Sequence, residues 1–159
     1  MNVIDELGIL AISTRLQRLS EQLRKDGVLI YKDCGIDFEP KWFPVIYTLY
    51  RKPGLGVVEV AAEIGYTHPS TISLLKELEK EKLILSRKDR QDERKRILRL
   101  SDKGKQLVQD MEPVWQIMTE AIEEITNTRN NLMKAIIEVE ARLGEKSFFE
   151  RARSHKKID

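Results

Sequence analysis

The stretch "VEVAAEIGYTHPSTISLLKELEKEKLI", residues 58–84, constrains the fold more tightly than any other. Ala61, Gly65, Thr71 and Leu74 follow one another at intervals of four, six and three. A small residue lets two helices cross closely. A glycine takes the left-handed position that ends the first helix, and β-branched or apolar residues fill the inside of the second. The pattern predicts a short helix ending at Gly65 and a second helix capped by Thr67. Pro69 then falls in the first turn of that helix, where a missing N–H is harmless. Leu74, Leu75 and Leu78 face a core, helped by the Thr71 methyl, while Pro69, Ile72, Ser73, Lys76 and Lys80 face away with Ser70 at the edge. Two readings fit: an ordinary helical hairpin, and a helix-turn-helix that presents its second helix to DNA.

The next segment favours DNA. "LILSR" and "KRILRLS" are apolar-rich runs on either side of a charged stretch, and they predict a β-hairpin whose tip spans 88–95. A hairpin directly after a recognition helix is a wing. Residues 86–99 hold seven Lys/Arg and three Asp/Glu, a local +4 in a chain whose formal net charge is only +2. The alternative, a solvated charge run, suits a lone run better than one beside a helix-turn-helix. Phosphates attract it through counterion release, without reading sequence. Arg87, Lys88, Arg90 and Lys95 are therefore expected on phosphates. Arg94 is expected in the minor groove, where a narrow groove favours an inserted guanidinium. On the helix, Ser70, Ile72, Ser73 and Lys76 are expected in the major groove, with His68 near the backbone.

Helices are expected on both flanks. Ile9, Ile12, Leu16, Leu19 and Leu23 form one stripe between Val3 and about Leu23; Asp26-Gly27 is a candidate bend or end, although "VLIY" after it could continue the helix to the clearer break at Cys34-Gly35. "DFEPKWFPVIYTLY" reads as a second helix, its start bent or delayed by Pro44, and "RKPGLG" as a loop. Leu107, Met111, Val114, Met118, Ala121, Ile122 and Ile125 share a stripe over 102–126. Leu132, Ala135, Ile136, Val139 and Leu143 share another over 130–146, with Phe148 and Phe149 following. Terminal helices this apolar would leave a large exposed patch on a monomer, which predicts a homodimer, with packing against the first helix as the alternative.

Other chemistry finds little support. Two histidines and one cysteine offer no zinc spacing, and neither a Gly-rich phosphate loop nor a Gly-x-Ser-x-Gly is present. No enzyme, cofactor or metal is expected. Cys34 cannot form an intrachain disulfide, and with Lys32 offset by Asp33 it reads as an inert thiol rather than a redox sensor. Short apolar runs and an N-terminus bearing Asp5 and Glu6 predict neither a signal peptide nor a membrane span, hence a cytoplasmic protein.

Asp92-x-Arg94-x-x-x-Leu98-x-Leu100-Ser101-Asp102-Lys103-Gly104 resembles the wing signature of the MarR family of bacterial transcription regulators, and "GYTHPSTISLLKELEKEKLI" is similar to that family's recognition helix and following strand. Ser101 replaces the commoner Thr, and Lys82 sits where a Gly often precedes the strand. The resemblance implies one mainly α domain with a small β-hairpin wing. Its winged helix-turn-helix would span 37–101, between dimerisation helices at 1–36 and 102–159. It further implies a homodimer on a palindromic operator, with Asp92 holding Arg94 in position. A small-molecule effector would sit at the junction where Tyr31, Phe38, Trp42 and Phe43 cluster, although those four side chains equally suit a plain core. A winged-helix protein–protein adaptor is the alternative function, since fold does not determine it.

Overall fold

Gly8 interrupts the helix expected from Val3 to Leu23. In the computed structural model, which describes residues 2–89 and 95–156, that stretch divides into α1 (Val3–Glu6), a 3₁₀ turn at Gly8–Ala11 and α2 (Ile12–Asp33). Gly8 has φ +60°, a left-handed geometry in which an α-helix cannot continue. The bend considered at Asp26-Gly27 does not occur. Gly27 is buried in the middle of α2, so packing overrides its helix propensity, which is about 1 kcal/mol worse than alanine. The helix stops instead before Gly35, at φ +73°. Pro44 delays the second helix as expected: a 3₁₀ turn at Pro40–Trp42 precedes α3 (Phe43–Arg51), with Pro44 in the first turn.

The helix-turn-helix forms as its residues dictate. The Glu59 carboxylate accepts the Gly56 N–H at 2.6 Å and starts α4 (Val57–Ile64), which ends at Gly65, φ +69°. Thr67 caps α5 (His68–Lys80) by accepting the Ser70 N–H. Thr71 is fully buried with Leu74, Leu75 and Leu78. Its hydroxyl donates to the Thr67 carbonyl at 3.0 Å, so a polar atom in the core is satisfied locally.

The hairpin pairs β1 (Ile84–Lys88) with β2 (Arg96–Leu100), from Ile84 opposite Leu100 to Lys88 opposite Arg96. The expected tip begins one residue late, because Lys88 is still paired. The segment read as a loop adds a third edge: Leu55 bridges Leu98, whose N–H donates to the Leu55 carbonyl at 2.9 Å. Lys82 takes φ +59° just before β1, the strained geometry that makes glycine common at such a point.

The chain divides into two units, Met1–Gln116 and Ile117–Asp159. In the first, Val45, Ile46, Leu49, Val60, Leu78, Leu98 and Val108 are among the side chains closing the core, each contributing about 1.5–3 kcal/mol on burial. The start of α6 (Asp102–Thr126) is stitched beneath the wing. The Ser101 hydroxyl shares its one proton between the carbonyls of Lys82 (2.7 Å) and Leu83 (3.1 Å) and accepts the Gly104 N–H at 2.9 Å.

The second unit holds the end of α6, then α7 (Leu132–Glu145) and α8 (Phe148–His155). α8 was not anticipated, although Ser147-x-x-Glu150 is a capping-box pattern and the two side chains do bond at 2.7 Å. Ile122, Ile125, Met133, Ile137, Val139, Leu143, Phe148 and Phe149 of this unit are exposed in the single chain, as are Ile9, Ile12, Leu16 and Leu19 of the first.

Candidate nucleic-acid interface

α5 turns His68, Ser70, Ser73 and Lys76 outward as exposed residues and leaves Ile72 half-buried. The Thr67 hydroxyl donates to that of Ser70 at 2.9 Å, so the cap orients the first of these hydroxyls. Ser70 and Ser73 also border a cleft lined by Tyr66, Thr67, Leu74, Arg24 and Lys41. Arg24, from α2, has no ion partner among the described residues. Neither Arg24 nor Lys41 was singled out from the sequence, because their proximity to α5 is purely tertiary and no local spacing announces it.

Lys41 pairs with Glu77 of α5 at 2.7 Å, and the Trp42 indole N–H donates to the same carboxylate at 3.0 Å. These two contacts, the Lys41 one first, hold the Glu77 carboxyl below its ordinary range. Asp5 is lowered first by Arg18, and Glu150 first by the Ser147 side chain. A lowered carboxyl stabilises the fold above its unfolded value, and the contribution is lost as pH falls through the folded value. Melting temperature should therefore decline as pH drops below the ordinary glutamate value of 4.5. The decline should be shallow, since all three groups are solvated. Thermal melts between about pH 6 and about pH 3 check this, and a flat profile would contradict it.

On the wing, Arg87 and Lys88 lie on β1, Lys95 just before β2, and Arg96 and Arg99 on β2; all five are exposed. Arg87, Lys88 and Arg99 share a groove with Pro53, Gly54, Asp89 and Ile97. None of Arg87, Lys88, Lys95 or Arg99 has an ion-pair partner among the described residues. The Asp89 N–H donates to the Lys95 carbonyl at 2.9 Å and closes the neck of the tip. Arg90, Asp92 and Arg94 lie outside the described residues.

The four aromatic residues divide. Tyr31 and Phe38 are buried edge-to-face at 5.0 Å, and Phe38 meets Trp42 edge-to-face at 5.8 Å. Phe43 instead stacks on Tyr47 and meets Trp115. Trp115, missed in the sequence, donates its indole N–H to the Tyr31 hydroxyl at 2.9 Å. Burial raises the Tyr31 pKa, with this hydrogen bond opposing it. Among the described residues no group of three or more His, Cys, Asp and Glu could hold a metal, and no helix is long and apolar enough to cross a membrane. Cys34 is exposed.

Residues 36–95 match the sequence model of a family described as the MarR family. No curated protein matches the chain. Among solved structures it is similar to the transcriptional repressor CouR bound to a 23-mer DNA duplex, at 23% identity over 87% of this chain and 96% of that one, TM-score 0.66. It is similar to MepR of S. aureus in a DNA complex, at 20% identity over 84% and 96%, TM-score 0.68. It is also similar to the PcaV transcriptional regulator from Streptomyces coelicolor in complex with its natural ligand, at 18% identity over 86% and 96%, TM-score 0.63. These likenesses give the fold: a winged helix-turn-helix with helices on both flanks.

Proposed function

We propose that the chain, a member of the MarR family through its winged-helix segment at residues 36–95, is a homodimeric DNA-binding transcription regulator of the repressing type. The observation that carries this reading is the exposed face of α5, bearing hydroxyls and a cation, beside a wing whose cations have no ion-pair partners among the described residues. In a chain of net charge +2 that concentration has a use only against an anionic partner. α5 enters the major groove, with Ser70, Ile72, Ser73 and Lys76 toward base edges and His68 toward the backbone. Arg87, Lys88, Arg90 and Lys95 meet phosphates, and Arg94 enters the minor groove with Asp92 holding it. In a homodimer the two α5 helices read half-sites about one DNA turn apart, hence a palindrome.

The test is a binding titration at several salt concentrations, on a duplex selected from a random pool. Lys88→Ala should weaken all sequences alike and lower the salt slope by roughly one. Arg94→Ala should cost the selected duplex about 1–3 kcal/mol and leave melting unchanged. A parent protein whose binding has no salt slope would instead be a protein–protein adaptor.

We place a small effector in the cleft between α2 and α5. Arg24 and Lys41 supply positive charge there, and Thr67, Ser70 and Ser73 supply hydroxyls, a set suited to a carboxylate. Tyr31, Phe38, Trp42 and Phe43 do not line this cleft, so an effector seated there would meet Tyr66 rather than the aromatic cluster. Aromatic carboxylates that bind should lower DNA affinity, and Arg24→Ala should remove both effects. A binder indifferent to that substitution would locate the seat elsewhere.

A further inference from the structure

An acidic residue on a DNA-facing helix needs a reason, since a carboxylate near phosphates is repelled. Glu77 lies one helical turn beyond Ser73 on the same side of α5. Its carboxylate is already engaged at the surface, pairing with Lys41 at 2.7 Å and accepting the Trp42 indole N–H at 3.0 Å. From Trp42 a row of side chains continues through Phe38 and Tyr31 of α2 to Trp115 of α6, whose N–H bonds the Tyr31 hydroxyl at 2.9 Å. The buried residues of α5 are Thr71, Leu74, Leu75 and Leu78. Apolar packing limits large rotations of a helix but specifies its last few tens of degrees less sharply than hydrogen bonds do, because burial itself is non-directional. The two bonds of Glu77 are directional.

We propose that Glu77 is a positioning residue that sets the rotation of α5 about its own axis, and so which base edges Ser70 and Ser73 can reach. This rests on the DNA-reading role given above to α5. The magnitudes suit it. A side-chain tip lies about 5 Å from the helix axis, so a turn of roughly 20° moves it about 2 Å. That is enough to lose a base-edge hydrogen bond, whose window is only about 0.5 Å wide. Nonspecific attraction to phosphates tolerates such a shift.

The experiment compares affinity for a duplex selected by the full chain with affinity for a scrambled duplex of equal length. Glu77→Ala should reduce discrimination about tenfold, with scrambled-duplex affinity equal or higher and melting little changed. Glu77→Gln, whose amide oxygen still accepts from Trp42, should recover part of the discrimination. Trp42→Phe, which keeps the ring and removes the N–H, should reproduce part of the loss. Equal loss on both duplexes, or discrimination like the parent's in Glu77→Ala, overturns the proposal. A parent chain that does not discriminate overturns the DNA-reading role itself, and the positioning role with it.

Discussion

Replacing Gly104 with alanine should lower the thermal midpoint by on the order of 10 °C. A Cβ there would stand 2.1 Å from the Leu83 carbonyl oxygen, where carbon and oxygen ordinarily keep about 3.3 Å. That oxygen accepts from both the N–H and the hydroxyl of Ser101, at 3.0 and 3.1 Å, so it cannot retreat without releasing them. The alternative is for α6 to move away, which opens the core at Val108 and Met111, both fully buried. Overpacking of this kind costs about 1–3 kcal/mol, and the weakened hydrogen bonds about 1 kcal/mol more. Gly144, in α7, is the matched control. A Cβ there meets nothing within 4 Å, so Gly144→Ala should leave the midpoint unchanged or slightly raised. Calorimetry on the two variants decides. A Gly104→Ala protein melting with the parent would mean that the stitch below the wing is slack.

Charging the exposed apolar side chains of the second unit should abolish specific DNA binding without touching the residues proposed to face DNA. Ile137 and Leu143 of α7 are 57% and 48% exposed in the single chain. The double change Ile137→Glu/Leu143→Glu should shift the sedimenting species from about twice the chain mass to the 18.5 kDa of one chain. A buried carboxylate without a partner costs several kcal/mol, and a homodimer would meet four of them. A single α5 should then retain little beyond nonspecific attraction, a loss on the order of 10³-fold or more. Deleting 130–159 should act the same way. A monomer that still bound a palindrome tightly would remove the dimer from the function.

Local chemistry made the central part of the fold legible. Gly65, Thr67 and Pro69 act within a few residues of themselves, so a glycine stop, a cap and a tolerated proline could be read directly, and α4, α5 and the hairpin followed. The misreadings come from long-range effects. Gly27 resembles a helix break, but burial against the rest of the first unit keeps it helical. Leu55 belongs to a loop by composition, and only the position of Leu98 turns it into an edge of the sheet. Arg24 and Lys41 are ordinary surface cations until α2 and the Pro40–Trp42 turn are folded beside α5. α8 is legible in principle, since its Ser147–Glu150 box is local and follows α7 after a single residue.

Both tryptophans and all four tyrosines of the chain lie before residue 117, within the first unit, while the aromatic residues beyond it are Phe148 and Phe149 alone. Absorbance near 280 nm and intrinsic fluorescence therefore come entirely from the winged-helix unit. Backbone circular dichroism weighs in α7 and α8 as well. One heating run followed by both signals is thus an unlabelled test of cooperativity. Coincident transitions would mean that the two units melt as one, and an ellipticity change preceding the emission change would mean that the C-terminal helices let go first.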